Sequence, residues 1–239
     1  MRNINDGITF KKWHKVIEKI EQFNSDGLAQ LNTNDKALAY AVIEIRKVFD
    51  EYKIKMAFFY DRFYEYSNDY WNEINDESIE IFLRDFCKKF YASKIHFHTS
   101  TFYKSLKDTF RDDLRIIPDT DDDSVLLNCM SGTLEFDKKG FAEREHNIKD
   151  YLTYKLNYNY NKNATCPRWD SFLDEMLPDK THQLLLHQYI GYAFTNHLKL
   201  EKALFLYGDG GNGKSVVQEV ITELLGKENT SSVSIGKLT

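Results

Sequence analysis

Eight residues near the C-terminal end, Gly208-Asp209-Gly210-Gly211-Asn212-Gly213-Lys214-Ser215, fit the phosphate-loop pattern G-x-x-x-x-G-K-S/T, which works only between a strand and a helix. The flanks agree with that demand. Ala203 to Tyr207 is a short apolar run of buried-strand type, and Val216, Val217, Val220, Ile221, Leu224 and Leu225 recur at helical spacing until Gly226 stops them. Triphosphate oxygens need several donors at once. Glycines at Gly208, Gly210, Gly211 and Gly213 let backbone N–H groups turn inward where a Cβ would obstruct. The following helix adds positive potential at its N-terminus. Lys214 then offers an ammonium to the β- and γ-phosphates as the catalytic cation, and the Ser215 hydroxyl is placed to ligate Mg²⁺. The expected cofactors are ATP and Mg²⁺, held by Gly208, Gly210, Gly211, Asn212, Gly213, Lys214 and Ser215; a glycine turn that binds nothing is the competing reading.

Hydrolysis in such proteins needs an acidic residue at the end of another strand, and that element normally lies well downstream of the glycine loop. Here Val216 to Thr239 follow, with Glu219 and Glu223 on the loop's own helix and Glu228 beyond it. The expectation is the front part of an ATPase, cut soon after its first nucleotide motif.

At 239 residues, 42% hydrophobic and 15% aromatic, the chain has ample material for the core of one large or two small domains. A net charge of −5 means that nucleic-acid binding would come from a local patch, not from an overall basic surface. No apolar run approaches membrane-spanning length and the N-terminus lacks the apolar core of a signal peptide, so a cytosolic protein without membrane partners is expected. Cys87, Cys129 and Cys166 are odd in number and widely spaced, which reads as reduced thiols in packing roles.

Organisation along the chain is α+β. Phe10, Trp13, Val16, Ile17, Ile20 and Phe23 form one amphipathic face, and Leu38, Ala41, Val42, Ile45, Val48 and Phe49 form another after a cap-like Asn34-Asp35. Phe63 to Tyr66, Ser67-Asn68-Asp69 and Tyr70-Trp71 read as a short aromatic hairpin. Helical spacing returns at Ile79, Phe82, Leu83 and Phe86, and again at Phe102, Leu106 and Phe110. Arg111 to Asp123 reads as a solvated connection between two lobes, its Asp121-Asp122-Asp123 a hydrated cluster in preference to a two-metal site. Val125–Asn128, Thr133–Phe136 and Phe141–Glu145 predict a β-meander, with Tyr151–Tyr158 a further strand. From Pro167 helices resume: one face carries Trp169, Phe172, Leu173 and Met176, and the next carries Leu184, Leu185, Tyr189, Ile190, Tyr192 and Ala193.

Several of these pieces together resemble the phage and plasmid primase-helicase family, which is related to the poxvirus primase-helicase and belongs to the superfamily 3 helicases. They are Asn128-Cys129-Met130-Ser131-Gly132-Thr133-Leu134-Glu135-Phe136, Cys166-Pro167-Arg168-Trp169 with Phe172-Leu173, Gln188 to Ala193, Phe205 to Gly208, and Gly211 to Ser215. Tyr70-Trp71 is similar to the family's early tyrosine-tryptophan feature. The resemblance covers Phe58 to Thr239. It implies a helical N-terminal region over 1–57, a mixed pre-motor domain over 58–195 containing the small β-meander, and the first strand, loop and helix of a P-loop AAA-like ATPase over 196–239, incomplete here. It further implies that the intact protein hydrolyses ATP to unwind DNA in the replication of a phage, plasmid or mobile element within a bacterial cytoplasm, as a homo-oligomeric ring. The family's later acidic motif, polar sensor, arginine finger and DNA-contacting hairpin have no counterpart in these residues. Weak nucleotide binding and no unwinding by the chain alone are therefore expected. The alternatives are a non-catalytic DNA- or partner-binding adaptor with a vestigial loop and, less favoured for want of a lid or acceptor motif, a small-molecule P-loop kinase.

One stretch offers nucleic-acid contacts. Cys87 to Lys107 contains no acidic residue, and Lys88, Lys89, Lys94, Lys104 and Lys107 alternate with Phe90, Tyr91, Phe97, Phe102 and Tyr103. Lysines neutralise phosphates and exposed aromatics stack on bases, while two amphipathic helices with core aromatics explain the same pattern. His96 with His98 and His182 with His187 lack nearby partners for a four-ligand zinc site and read as ordinary histidines.

Overall fold

The computed structural model describes Trp13, 16–18, 33–119, 124–138, 140–195, 200–234 and 236. The chain divides into two compact units, Met1–Asp119 and Thr120–Thr239. Of the first predicted amphipathic face, Trp13, Val16 and Ile17 are helical and buried; Phe10, Ile20 and Phe23 lie outside the described residues, as does Asp121-Asp122-Asp123.

From residue 33 onward, the described part of unit 1 packs three α-helices around an aromatic core, with a small sheet. Helix α1 (Asn34–Glu51) is capped one residue earlier than expected: Thr33 holds an extended backbone and its hydroxyl accepts from the Lys36 N–H at 3.4 Å. Such a cap contributes about 1 kcal/mol. Ala37, Ala41, Val42, Ile45 and Phe49 recur at three- and four-residue steps and are buried. Strands β1 (Met56–Phe59), β2 (Arg62–Tyr66) and β3 (Trp71–Ile74) form an antiparallel sheet in the order β1-β2-β3. The predicted aromatic hairpin is its β2–β3 half. The first strand was not legible, because all four of its residues are buried and no alternation marks it. Nor does glycine mark its turn: Tyr60 and Asp61 both take positive φ, 48° and 58°, between paired Phe59 and Arg62, the geometry favoured in two-residue hairpins.

Helix α2 (Asp76–Phe90) is capped by Asn75, which accepts from the Ser78 N–H at 2.7 Å. It carries Asp76 and Glu77 in its first turn and Lys88 and Lys89 in its last, matching the helix dipole. Helix α3 (Ser100–Leu114) buries Phe102, Leu106, Phe110 and Leu114. The rings interlock: Phe49 lies 5.6 Å from Phe82 and 6.1 Å from Phe110, and Trp13 lies 5.2 Å from Phe82. Each aromatic pair adds about 0.5–1.5 kcal/mol beyond its buried area. Because Phe110 and Leu114 are needed in this core, α3 continues to Leu114 and the connection read from Arg111 begins only at Arg115.

Unit 2 opens with the predicted meander, β4 (Val125–Asn128), β5 (Thr133–Asp137) and β6 (Gly140–Arg144), in the order β4-β5-β6. Gly132 is sterically required, since a Cβ there would lie 2.4 Å from the Arg144 carbonyl oxygen. The Arg144 guanidinium donates to both Asp150 oxygens at 2.9 Å and to Glu135 at 2.7 Å, pinning the meander to the segment that follows; those bonds, Asp150 first, outweigh its partial burial and raise its pKa further. The strand expected over Tyr151–Tyr158 does not form. Tyr151 enters it with φ 50°, and the run docks on the end of β4 through the Leu156 N–H to the Asn128 carbonyl (2.7 Å) and the Asn128 side chain to the Tyr154 carbonyl (2.8 Å).

Helices α4 (Pro167–Met176), α5 (Lys180–Ala193) and α6 (Lys214–Leu225) complete the unit. Pro167 occupies the first turn of α4 as expected, where its missing N–H costs nothing. The face of α5 differs from the prediction. Gln183, Leu186 and Ile190 are buried, whereas Leu184 and Leu185 are 57% and 54% exposed. Gln183 wins its place because its amide donates to Asp174 and to the Leu177 carbonyl, both at 2.9 Å. Leu173, Leu186, Ile190 and Val217 form the small core of these helices.

Candidate functional site

The glycine loop lies in unit 2 at the start of α6. Gly213 caps the helix in the left-handed region (φ 79°, ψ 0°), and its carbonyl accepts the Val217 N–H at 3.1 Å. Gly211 also has a positive φ, 78°. No side chain caps this helix and no acid stands in its first turn. Its first amides therefore face the loop without a built-in acceptor, the arrangement on which anions settle at helix N-termini. The Lys214 ammonium reaches back across the loop and donates to the Gly208 carbonyl (2.8 Å), the Asp209 carbonyl (3.0 Å) and Asn212 Oδ1 (2.6 Å). Gly208 leaves room for that Asn212 amide, since a Cβ there would lie 2.0 Å from its Nδ2. Gly208, Asn212, Gly213 and Lys214 are thus brought together, while a Cβ at Gly210 would meet nothing within 4 Å. Ser215 begins a shallow groove along α6 with Glu219 and Glu223.

The strand predicted to feed the loop is not formed. Residues 200–208 carry no strand, Leu204 packs on the helical core, and Phe205 and Tyr207 are 82% and 98% exposed. A buried parallel strand exists only with neighbours to take its hydrogen bonds, and among the described residues no strand lies alongside.

The five lysines of the second candidate set are in unit 1 and do not converge. Lys88 pairs with Asp85 at 3.1 Å, and Lys89 donates to the Glu18 carbonyl. Lys107 bridges Asp76 (2.8 Å) and Glu80 (2.9 Å), linking α3 to α2; burial disfavours its charge, but those two bonds outweigh it and raise its pKa. Lys94 precedes a short 3₁₀ turn, Ile95–Phe97, and Lys104 is exposed on α3. Phe90, Tyr91, Phe97 and Phe102 belong to the core, and the Tyr91 hydroxyl donates to the Ala37 carbonyl at 2.5 Å. Those rings do not present faces for stacking on bases.

Lys104 and Lys107 do line a cleft of about 600 Å³ that sequence spacing did not reveal, because its other cations, Arg84, Arg111 and Arg115, come from separate turns of α2 and α3 and from beyond α3. Arg115 stacks over Phe58 at 5.2 Å. Four carboxylates share this lining with the five cations, so its field is nearly neutral and favours a polyanion little.

The histidines take ordinary structural partners. His98 Nε2 lies 2.9 Å from the Tyr91 carbonyl, His187 accepts from the Trp169 indole at 3.1 Å, and the His96 side chain lies outside the described residues. Among the described residues no group of three or more His, Cys, Asp or Glu is arranged to hold a metal ion. Burial pushes the Cys87 thiol up to about 12, and Cys129 is raised for the same reason, as expected of packed thiols. No helix among the described residues is long and apolar enough to cross a membrane.

Residues 46–178, more than half of the chain, match the family described as D5 N terminal like. The match runs from within α1 to just past α4 and ends before the glycine loop. A protein provisionally named helicase 121R, from Invertebrate iridescent virus 3, is 27% identical over 124 residues, which is 50% of this chain. The chain covers 13% of that relative's length.

Proposed function

The chain belongs to the D5 N-terminal-like family, and from that premise we propose that it is part of a replicative DNA helicase of the primase-helicase type, its glycine loop holding ATP with Mg²⁺. The observation that carries this reading is the uncapped N-terminus of α6 with Lys214 drawn across the loop before it. Its three acceptors there are two main-chain carbonyls and an amide oxygen, partners that phosphate oxygens replace with a stronger, charge-assisted bond. Gly208 and Gly213 keep the cradle open, the α6 amides orient the phosphates, and Ser215 is the hydroxyl for the metal. Mg²⁺, when bound, neutralises and polarises the phosphate chain. In the intact protein ATP hydrolysis drives movement on DNA, with a neighbouring subunit of the oligomer completing each site.

A second reading, an adaptor with a vestigial loop, is favoured by one observation: the run 203–207 that should feed the loop is unpaired with any described strand. Equilibrium binding of a fluorescent ATP analogue with Mg²⁺ to wild type and to Lys214→Ala separates the two. We expect weak binding by wild type and a loss of about tenfold or more in the variant, the scale of one hydrogen-bonded charge. Equal, negligible binding by both leaves the adaptor.

A further inference from the structure

Helix α4 meets the glycine loop at Gly213, and contact there is tight. A Cβ built on Gly213 would lie 2.8 and 2.9 Å from Cζ and Cε2 of Phe172 and 3.2 Å from Cγ of Met176. Both side chains sit against the residue where loop becomes helix and where Lys214 begins to turn back. Phe172 is itself held: Trp169 stacks on it with centroids 5.6 Å apart and planes at 28°, and the Trp169 indole N–H donates to His187 on α5 at 3.1 Å. At its other end α4 is tied to α5 by Lys180 and Gln183, which both donate to Asp174. Two ties between rigid helices leave the Phe172 ring little freedom to follow the loop.

We propose that α4 sets the geometry of the glycine loop, with Phe172 as the positioning residue that clamps Gly213. Helix α4 is the last element inside the family-matched stretch, and Gly213 lies beyond it, so this helix gives that stretch a direct route to the loop. The proposal rests on the nucleotide reading for its function but not for its geometry. A shift of α4 moves Gly213 and, one residue on, the Lys214 ammonium; by linkage, a ligand that fixes Lys214 resists that shift.

Hydrogen exchange of the full chain without nucleotide tests the clamp. In Phe172→Ala, the Val217 N–H, which bonds the Gly213 carbonyl, and the amides of the turn after it should exchange about tenfold faster, a local opening, while those around Leu186 in α5 keep their protection. Phe172→Leu, which retains most of the bulk, should restore the loop. Unchanged exchange at Val217 and the turn after it in Phe172→Ala, or an equal increase throughout unit 2, overturns the proposal. Should Phe172→Ala fail to fold, a double-mutant cycle decides: Gly213→Ala should lower the melting temperature less in the Phe172→Leu background than in wild type, because the clash is softened, and equal losses refute the clamp. Binding of MgATP is a separate arm. A wild type that binds none sinks the nucleotide reading while the exchange data still decide the clamp; weaker binding by Phe172→Ala, about tenfold, joins the two.

Discussion

Phe110 and Val217 are both fully buried, yet they stand in different kinds of interior. Phe110 lies among rings from α1 and β2, within a single cluster that runs from Trp13 to Leu114 and includes a residue from nearly every element of unit 1. Val217 has Leu173, Leu186 and Ile190 for buried company, and the meander of the same unit has its own small cluster of Cys129, Leu134 and Leu156. Where apolar burial is thin, unit 2 relies on directed polar ties, such as Arg144 to Asp150 and Gln183 to Asp174. The candidate loop is thus mounted on the less consolidated of the two regions, as expected of segments that must change shape around a ligand.

The largest effect that tests this contrast is core truncation. Phe110→Ala should destabilise unit 1 by about 3–5 kcal/mol, and Leu173→Ala should cost unit 2 only about 2 kcal/mol, since its surroundings are half open and able to collapse. Denaturant unfolding followed by tryptophan emission reads both, with Trp13 and Trp71 in unit 1 and Trp169 in unit 2. Equal costs at the two positions break the comparison.

Native-state thiol labelling sharpens it further. Cys166 is exposed and should react at once. Cys129 and Cys87 are buried with raised pKa values and react only on opening, Cys129 well before Cys87 because unit 2 opens at lower free energy. The reverse order, measured by mass spectrometry over a time course, removes the distinction.

The smallest effect is on the acid side. The Thr181 backbone N–H, held by Asp179 at 2.7 Å where it caps α5, keeps that carboxyl below its usual pKa. A lowered folded value means that its contribution is complete above the ordinary carboxylate range and is lost as pH falls through the folded pKa. Unit 2 should therefore show a shallow decline in melting temperature at low pH, and Asp179→Asn, which keeps the acceptor, should remove part of it. A variant that tracks wild type across that window rules the cap out as the source.

Much of the architecture was legible from local pattern. Ile79, Phe82, Leu83 and Phe86 at helical spacing announced α2, Pro167 announced the start of α4, and the meander followed from the turn residues Ser131-Gly132 and Lys138 to Gly140 between apolar runs. The glycine loop was visible as a motif. Its contact with Phe172 was not, because residues some forty positions apart carry no shared period, and neither was the clasp by Lys214, whose partners two to six residues back are set by the way the loop turns. The basic-aromatic stretch from Cys87 to Lys107 left two readings open, because spacing shows that rings share a helix face but not whether that face meets solvent or a core; the structure puts most of those rings in the core.

By itself, the amino-acid sequence determined the elements that nearest neighbours encode: helix periods, caps, the turns of the meander and the glycine loop before α6. Tertiary structure alone decided which faces are covered. It buried Gln183 and left Leu185 out, carried α3 on to Leu114, turned Tyr151–Tyr158 into an irregular run, and left 203–207 without a sheet. The reason is that local conformation depends on a few adjacent torsions, whereas burial and strand pairing depend on partners that only the folded chain supplies.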